Sequence, residues 1–453
     1  MAAGSRIRAM DRRTFLAGTM ATAAAARLRA SSQGAGPAAP AGDRVRVGFA
    51  GMGARAQELV DAIAASGANA EVVALCDAYR GRAERGRARA GGKAAIVDDY
   101  RALLDDRSID AVFIATPDHW HSRMAIDAVS AGKDVYIEKP MTYTVDEGLA
   151  IIAATDRHKR ILQVGSQGVS GMRQATAREL IKSGRLGAIT MIRASYHRNS
   201  DSGAWLYPIP PDASPSTVDW KRFLGPAPDK PFSLERFFRW RCYWDYSGGL
   251  ATDLFVHLLS WIHFVMDVQA PSRIQGAGGT FVRQATHEVP DTLVGMLTYA
   301  EGFTVQLSCT LNSQAGSSSG VEILGSKASL RLRGDDVVLD EERIDQGGNG
   351  WVVRSWPEAL EKAYYADPAV RAREVPASRR QERVSAGERW TAVGEDDLVT
   401  HVRVFLDAVK SRAPVVEDAR FGHRAAATAH LINRSVREGR VFEWDRAADK
   451  EKT

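Results

Sequence analysis

The N-terminal part of the chain alternates short apolar runs with stretches of helical spacing. The apolar, β-branched runs begin at Val45, Glu71, Ala111, Asp134 and Ile161. Short apolar runs predict buried strands, and helices between them predict parallel pairing through right-handed crossovers. We therefore predict a doubly wound parallel sheet over residues 43–168, with ligands beyond the carboxyl ends of its strands.

The pattern changes after about Gly171. A strongly apolar helix over residues 250–265 is followed by β-type runs with few helices between them. Such runs predict an open, mostly antiparallel sheet, so the fold class is α/β with a second α/β domain over residues 169–440. The last helices of that domain could pack back on the first, and we expect residues 441–453 to be a tail.

A glycine turn joins the first strand to the first helix and predicts a dinucleotide site. Gly51 permits the tight turn, Gly53 lets the backbone approach a pyrophosphate, and Ala56 is the third small residue. The predicted cofactor contacts in this Rossmann-type unit are Gly51, Met52, Gly53, Ala54, Arg55 and Asp77. Asp77 ends the second strand and would bind the ribose hydroxyls, which favours NAD. Arg80 and Arg82 follow closely and keep NADP as a second candidate.

Two further segments lie at the predicted carboxyl ends of strands, where the nicotinamide would bind. The predicted contacts there are Thr116, Pro117, His119, His121, Glu138 and Lys139. A lysine at the end of a buried strand can bind a substrate hydroxyl, or it can extend along the sheet edge to solvent. The spacing of His119 and His121, with no acidic cluster nearby, predicts that they hold no metal.

Asp253 and His257 are four residues apart in the apolar helix, so they share one face. The carboxylate can orient the imidazole, and His257 can take a proton from an alcohol. A surface ion pair or a helix cap is the alternative interpretation. Aromatic and basic residues nearby could bind a polyol, and we select Tyr196 and His197 as substrate contacts together with Lys139 and the Asp253–His257 pair.

Composition and charge predict a globular protein without a nucleic-acid partner, since the sequence has no basic run with interleaved aromatic residues. The chain is 45% hydrophobic and 25% charged, which is typical of a globular protein, and its net charge of +5 is spread along the sequence. Cys76, Cys242 and Cys309 lie far apart, as core cysteines do.

The first 42 residues differ in composition from the rest. The paired arginines Arg12 and Arg13, a weakly apolar run and a small-residue segment resemble a twin-arginine export signal. The run is too short for a membrane span of about 20 residues. We therefore expect an exported, periplasmic protein without a stable membrane span. Because NAD is not supplied outside the cytoplasm, its cofactor would have to stay bound.

From about Val45 to Leu332 the sequence resembles the glucose–fructose oxidoreductase, inositol dehydrogenase and rhizopine-catabolism family. The motifs that carry the resemblance are the glycine turn, Asp77, Thr116-Pro117-Asp118-His119, the segment from Ala131 to Pro140, and Asp253 with His257. The resemblance implies NAD or NADP, a sugar or cyclitol substrate, and Lys139, Asp253 and His257 as the catalytic trio. It also implies a homodimer or homotetramer formed through the open sheet.

These observations predict an oxidoreductase that moves a hydride between a sugar, polyol or cyclitol and a tightly bound nicotinamide. The first alternative is a redox-neutral glycosidase or epimerase that acts by transient oxidation. The glycosidase branch carries Thr-His-Gly where this chain has Thr252-Asp253-Leu254, which counts against it. The second alternative is a non-catalytic NAD-binding sensor, against which the catalytic trio argues.

Overall fold

The computed structural model describes residues 44–314, 320–342, 349–373, 387–392 and 394–452. The predicted export signal, residues 1–42, lies outside the described residues.

The first domain is a six-stranded sheet in which every pair of neighbours is parallel. Its strands are β1 (Val45–Ala50), β2 (Ala70–Cys76), β3 (Ala95–Val97), β4 (Ala111–Ile114), β5 (Asp134–Glu138) and β6 (Leu162–Gly165). Its helices are α1 (Ala54–Ala65), α2 (Arg80–Arg89), α3 (Arg101–Asp105), α4 (His121–Ser130) and α5 (Glu147–His158). The strand order β3-β2-β1-β4-β5-β6 reverses between β1 and β4, which creates a crevice at their carboxyl ends. This confirms the predicted doubly wound sheet.

The sheet of the first domain is buried on both faces. Phe49, Phe113 and Tyr136 lie on adjacent strands, and their rings stack with centroids 4.9 and 4.8 Å apart. Helix α13 (Asp397–Ser411), from late in the chain, covers this face, and its Phe405 ring packs edge-on against Phe113 at 5.4 Å. The chain thus returns to the first domain, as its late apolar pattern suggests.

The second domain is built on a ten-stranded sheet, ordered β14-β13-β12-β11-β7-β10-β9-β8-β15-β16. Its strands are β7 (Ile189–His197), β8 (Arg273–Gly279), β9 (Thr292–Thr298), β10 (Thr304–Thr310), β11 (Gly320–Gly325), β12 (Ala328–Arg333), β13 (Asp336–Glu341), β14 (Glu388–Thr391), β15 (Phe442–Asp445) and β16 (Lys450–Glu451). Only β7 and β10 pair in parallel among these described strands. The sheet is therefore mostly antiparallel, as predicted.

The remaining helices of the described residues lie in the second part of the chain. They are α6 (Met172–Lys182), α7 (Trp220–Leu224), α8 (Leu234–Phe238), α9 (Val256–Met266), α10 (Gly350–Val353), α11 (Glu358–Ala366), α12 (Pro368–Arg373) and α14 (Ala419–Glu438). A π-helical turn, Ala251–Phe255, leads into α9. Among the described helices, none combines the length and apolar character that a membrane crossing requires.

The end of the chain differs from the expected tail. Strand β15 pairs with β8 through Phe442 and Ile274, and both Phe442 and Trp444 are buried. The segment therefore extends the sheet, because burial of two large aromatic side chains is favourable and a free tail would leave them exposed to water.

Candidate functional site

The glycine turn after β1 has the backbone geometry that a bound dinucleotide requires. Gly51 has φ +86°, and a Cβ there would lie 2.6 Å from the carbonyl oxygen of Ala115. A Cβ on Gly53 would meet nothing within 4 Å. Helix α1 begins immediately afterwards, at Ala54, so its free N–H groups lie beside this open space.

Asp77 is fixed at the end of β2 by two backbone N–H groups. Its carboxylate accepts hydrogen bonds from Met52 N at 2.6 Å and from Tyr79 N at 2.7 Å. The side chain of Met52 is fully buried, so this residue contributes to the turn through its backbone. Whether Asp77 also binds a ribose stays a prediction.

A cavity of about 400 Å³ begins at this turn and extends to the second domain. Most of the predicted site residues line it, namely Gly51, Gly53, Ala54, Arg55, Asp77, Thr116, Pro117, Glu138, Lys139, Asp253 and His257. A glycine turn, a helix N-terminus and an acid at the end of β2 are the parts that an NAD site needs, so these residues fit that cofactor. The predicted cofactor turn and the predicted catalytic residues therefore line one cavity.

A compact charge cluster lies where the two domains meet. Lys139, just after β5, donates to the Asp253 carboxylate and to its main-chain oxygen, both at 2.7 Å. Arg241 Nε and Trp205 Nε1 donate to the same carboxylate, each at 3.0 Å. Burial opposes ionisation of Asp253, but Lys139 and Arg241 outweigh it and hold the pKa of that carboxyl well below its usual range. Asp253 is therefore an anion.

His257 follows one turn later and is half-buried, and it lines the cavity. Burial and the nearby Lys139 cation lower its pKa well below the usual value, so the imidazole is neutral at pH 7. Both oxygens of the Asp253 carboxylate are taken by other donors. Within the described residues the structure gives no hydrogen bond between Asp253 and His257, so the expectation that Asp253 orients the imidazole stays a prediction.

The structure places His119 and His121 behind the cavity wall and not on it. Nε2 of His119 lies 3.0 Å from the carbonyl oxygen of Phe223. His121 lies between two carbonyls, with Nδ1 2.6 Å from Pro140 O and Nε2 3.0 Å from Thr116 O. Burial lowers the pKa of both imidazoles to about 4. These residues brace the loops that line the cavity, which corrects their predicted role as cofactor contacts.

Asp118, in the same segment, is a second buried carboxyl group near the charge cluster. It is 3% exposed and accepts a hydrogen bond from Thr252 Oγ1 at 3.3 Å. Burial raises its pKa to about 7, although Lys139 acts in the opposite direction. The contact connects the first domain to the π-helical turn that carries Asp253.

A second cavity, of about 950 Å³, adjoins the first. The residues that line both are Arg55, Glu58, Arg198, Leu254 and His257. Tyr196 lines the second cavity, as a substrate contact could. His197, next in β7, points to the opposite face of the sheet, where its Nε2 lies 3.2 Å from Ser308 Oγ. It lines neither cavity, so its prediction as a substrate contact is not supported.

Sequence reasoning missed Arg198 and Tyr207, which line the first cavity. Arg198 is the first residue after β7, and that position at a strand end was the available signal. Tyr207 lies in a loop without periodicity, so no signal in the sequence identified it.

Two family models match the chain and together cover about half of it. The model described as "Oxidoreductase family, NAD-binding Rossmann fold" matches residues 45–166, and the "GFO/IDH/MocA C-terminal domain" matches residues 222–331.

Curated relatives with similar sequences include inositol dehydrogenases. Inositol 2-dehydrogenase 1 of Saccharopolyspora erythraea is 32% identical over 34% of this chain and 46% of its own length. The inositol 2-dehydrogenase/D-chiro-inositol 3-dehydrogenase of Lacticaseibacillus casei is 24% identical over 87% of this chain and 93% of its own length. An uncharacterized oxidoreductase of Bacillus subtilis, YrbE, is matched over 58% of its length. The chain thus matches only about half the length of several of these relatives.

Solved structures share the fold across both domains. Levoglucosan dehydrogenase in complex with NADH and levoglucosan is 20% identical, with a TM-score of 0.63 over 88% of this chain and 99% of that protein. The WlbA dehydrogenase of Bordetella pertussis, in complex with NADH and UDP-GlcNAcA, is 20% identical, with a TM-score of 0.64 over 90% and 99%. The solved structures show the shared fold, and the two family models show that the chain belongs to the Gfo/Idh/MocA family of NAD-binding oxidoreductases.

Proposed function

We propose that this protein is an NAD-dependent oxidoreductase that acts on a hydroxyl group of a sugar, polyol or cyclitol. The observation that carries the proposal is that Lys139, Asp253 and His257 line the cavity that begins at the Gly51–Gly53 turn. The inositol and levoglucosan dehydrogenases among the similar proteins support this substrate class.

His257 is the base in this proposal. A neutral imidazole has a lone pair that can accept the hydroxyl proton, and the lowered pKa of His257 keeps it neutral at physiological pH. NAD, when bound, supplies the ring carbon that accepts or returns a hydride. General-base assistance of this kind contributes about 10²–10⁴-fold to turnover.

Lys139 stabilises the negative charge that develops on the hydroxyl oxygen. Two of its three N–H groups bind Asp253, which leaves one donor for the substrate. Asp253 is thus a positioning residue for the ammonium. Arg241 and Trp205 in turn hold the carboxylate, so the ammonium is fixed before a substrate arrives.

The turn residues and Asp77 would hold the cofactor. Gly51, Gly53 and the N-terminus of α1 suit its pyrophosphate, and Asp77 suits its adenosine ribose. Arg82 also lines the cavity, but its guanidinium lies over the Phe237 and Phe238 rings, at 5.5 and 4.9 Å. We therefore favour NAD over NADP.

The test uses the purified full chain. Mass spectrometry of the small molecules released on denaturation identifies the nucleotide, and a panel of sugars and cyclitols is then assayed by nicotinamide absorbance. We expect Lys139→Ala and His257→Ala each to lose most turnover while retaining NAD. Lys182→Ala, an exposed lysine on α6, is the control and keeps full activity. Near-parental turnover in either cavity variant would refute the assignment, and phenol release from aryl glycosides without added NAD would favour the redox-neutral alternative.

Export and assembly are part of the proposal. The segment around Arg12 and Arg13 supports export by the twin-arginine route to the periplasm, and replacement of both by lysine should retain the protein in the cytoplasm on fractionation. The wide face of the ten-stranded sheet supports a homodimer or homotetramer, which light scattering of the purified protein would detect.

A further inference from the structure

Arg198 is a cation at the junction of the two cavities. It follows β7 and lines both cavities together with His257. Its guanidinium donates a long hydrogen bond, 3.4 Å, to the carbonyl of Gly203, and its Cζ lies 5.7 Å from the ring of Tyr196. Within the ranges that the structure describes, no Asp or Glu forms an ion pair with it.

The other charged groups beside His257 are already paired. Arg55 binds Glu58 at 2.8 Å, and Arg241 and Lys139 share Asp253 at 3.0 and 2.7 Å. Glu58 and Asp253 are therefore paired with cations of the chain itself. Asp335, Glu395, Asp396 and Asp397 line the second cavity, but within the described residues none of them forms an ion pair with Arg198.

The backbone of Arg198 is held in place, so its guanidinium is presented to the cavity. Arg198 N donates to Thr310 O at 2.9 Å, and its carbonyl accepts from Ser313 N at 3.2 Å. The loop that contains Gly203 packs against its stem, since a Cβ at Gly203 would lie 3.3 Å from Arg198 Cβ and Cδ. The backbone and the near part of the side chain are therefore in place before a ligand binds, which lowers the ordering cost of binding.

We infer that the substrate carries an anionic group, a carboxylate as in a uronic or aldonic acid, and that Arg198 binds it. The planar guanidinium matches a carboxylate with two parallel hydrogen bonds, and a partly desolvated site strengthens them. The inference rests on the proposed function, because it places the reacting hydroxyl beside His257 and Lys139. A phosphate group would be recognised by the same chemistry.

The experiment compares matched substrates in the NAD-loaded protein. Glucuronate and galacturonate are assayed against glucose and galactose, with glucose 6-phosphate as the phosphate arm. We expect kcat/KM for the preferred acid to exceed that for its neutral parent by about 10–100-fold, the range of a charge-assisted pair. Arg198→Gln should remove this preference, because kcat/KM for the acid falls to the value for its neutral parent. Arg193→Gln is the control, since Arg193 lies on β7, the strand that precedes Arg198, is exposed and pairs with Glu322.

The outcomes separate the inference from the proposed function. A parental enzyme that prefers neutral sugars, or an acid preference that survives in Arg198→Gln, overturns the inference and leaves the proposed function intact. A preference for the phosphate ester supports the anionic site and identifies phosphate as its ligand. If no compound reduces the nicotinamide, the proposed function fails. In that case calorimetry still decides the inference. It should show that glucuronate binds more tightly than glucose to the parent, and that both bind equally to Arg198→Gln.

Discussion

Among the described residues, Asp253 is the one anion that pairs with both Lys139 and Arg241, so its replacement should cost more stability than the loss of either cation. In Asp253→Asn the amide has the same shape but no charge, and two largely buried cations lose their counter-charge. Breaking a buried pair from one side typically costs about 3–5 kcal/mol. Because 26% of the Arg241 side chain is exposed and solvent screens it, we expect a loss near the lower end, about 3 kcal/mol.

Removal of a cation instead of the anion tests whether the two losses of stability differ. Lys139→Met leaves Asp253 bound to Arg241 and to Trp205, so we expect a smaller loss, about 1–2 kcal/mol. In the double variant only one cation remains unpaired. The combined loss should therefore be at least about 1 kcal/mol smaller than the sum of the two single losses.

Urea unfolding followed by tryptophan fluorescence measures these differences. All variants are compared with the same saturating NAD, because a ligand that binds only the folded state adds its own stabilisation. A loss below about 0.5 kcal/mol in Asp253→Asn, or strict additivity in the double variant, would refute the view that this carboxylate neutralises both cations.

Three further predictions concern the turn, the second buried acid and the chain end. Gly51→Ala should weaken NAD binding, measured by calorimetry, because its Cβ would lie 2.6 Å from a carbonyl oxygen. In Gly53→Ala the new Cβ meets no protein atom within 4 Å, so the melting temperature should stay unchanged. If the pyrophosphate lies against Gly53, this variant loses NAD affinity alone. The pKa of Asp118 is raised to about 7, so the stability that its neutral form confers is present below pH 4 and is lost as the pH rises through 7. In thermal unfolding from pH 5 to 8, the stability of Asp118→Asn should therefore rise relative to that of the parent. A difference that does not change with pH would contradict the raised pKa. Trp444→Ala removes a buried side chain and should cost about 3–5 kcal/mol, while Phe281→Ala, 64% exposed, should stay within about 0.5 kcal/mol in the same unfolding assay.

The elements of the first domain were predictable because each depends on a local signal. An apolar run, a glycine turn and a polar residue at the strand end lie within a few residues of one another. The carboxyl ends of parallel strands meet at one edge of a sheet, so Gly51, Asp77 and Lys139 could be brought together without knowledge of the loops. The helical spacing of Asp253 and His257 was equally local.

The errors concern choices that only tertiary packing decides. His119 and His121 lie at a strand end like their neighbours, but the loop after β4 turns their rings inward to backbone carbonyls. Tyr196 and His197 occupy opposite faces of β7, and the sequence did not indicate which face meets the cavity. The hydrogen bonds that Asp253 accepts depended on Arg241, which reaches it from a short 3₁₀ turn, Trp240–Cys242, that the sequence pattern did not predict.

The contact between Lys139 and Asp253 positions the ammonium and also joins the two domains. Lys139 belongs to the first domain, and it binds the side chain and the backbone of Asp253 in the second. Any variant of this pair changes the packing of the domains as well as the position of the ammonium, so lost turnover there does not isolate a chemical role. Arg198 stabilises no such contact, since its guanidinium has no ion-pair partner in the described part of the chain. Its substitution is therefore the more direct measure of what the cavity recognises.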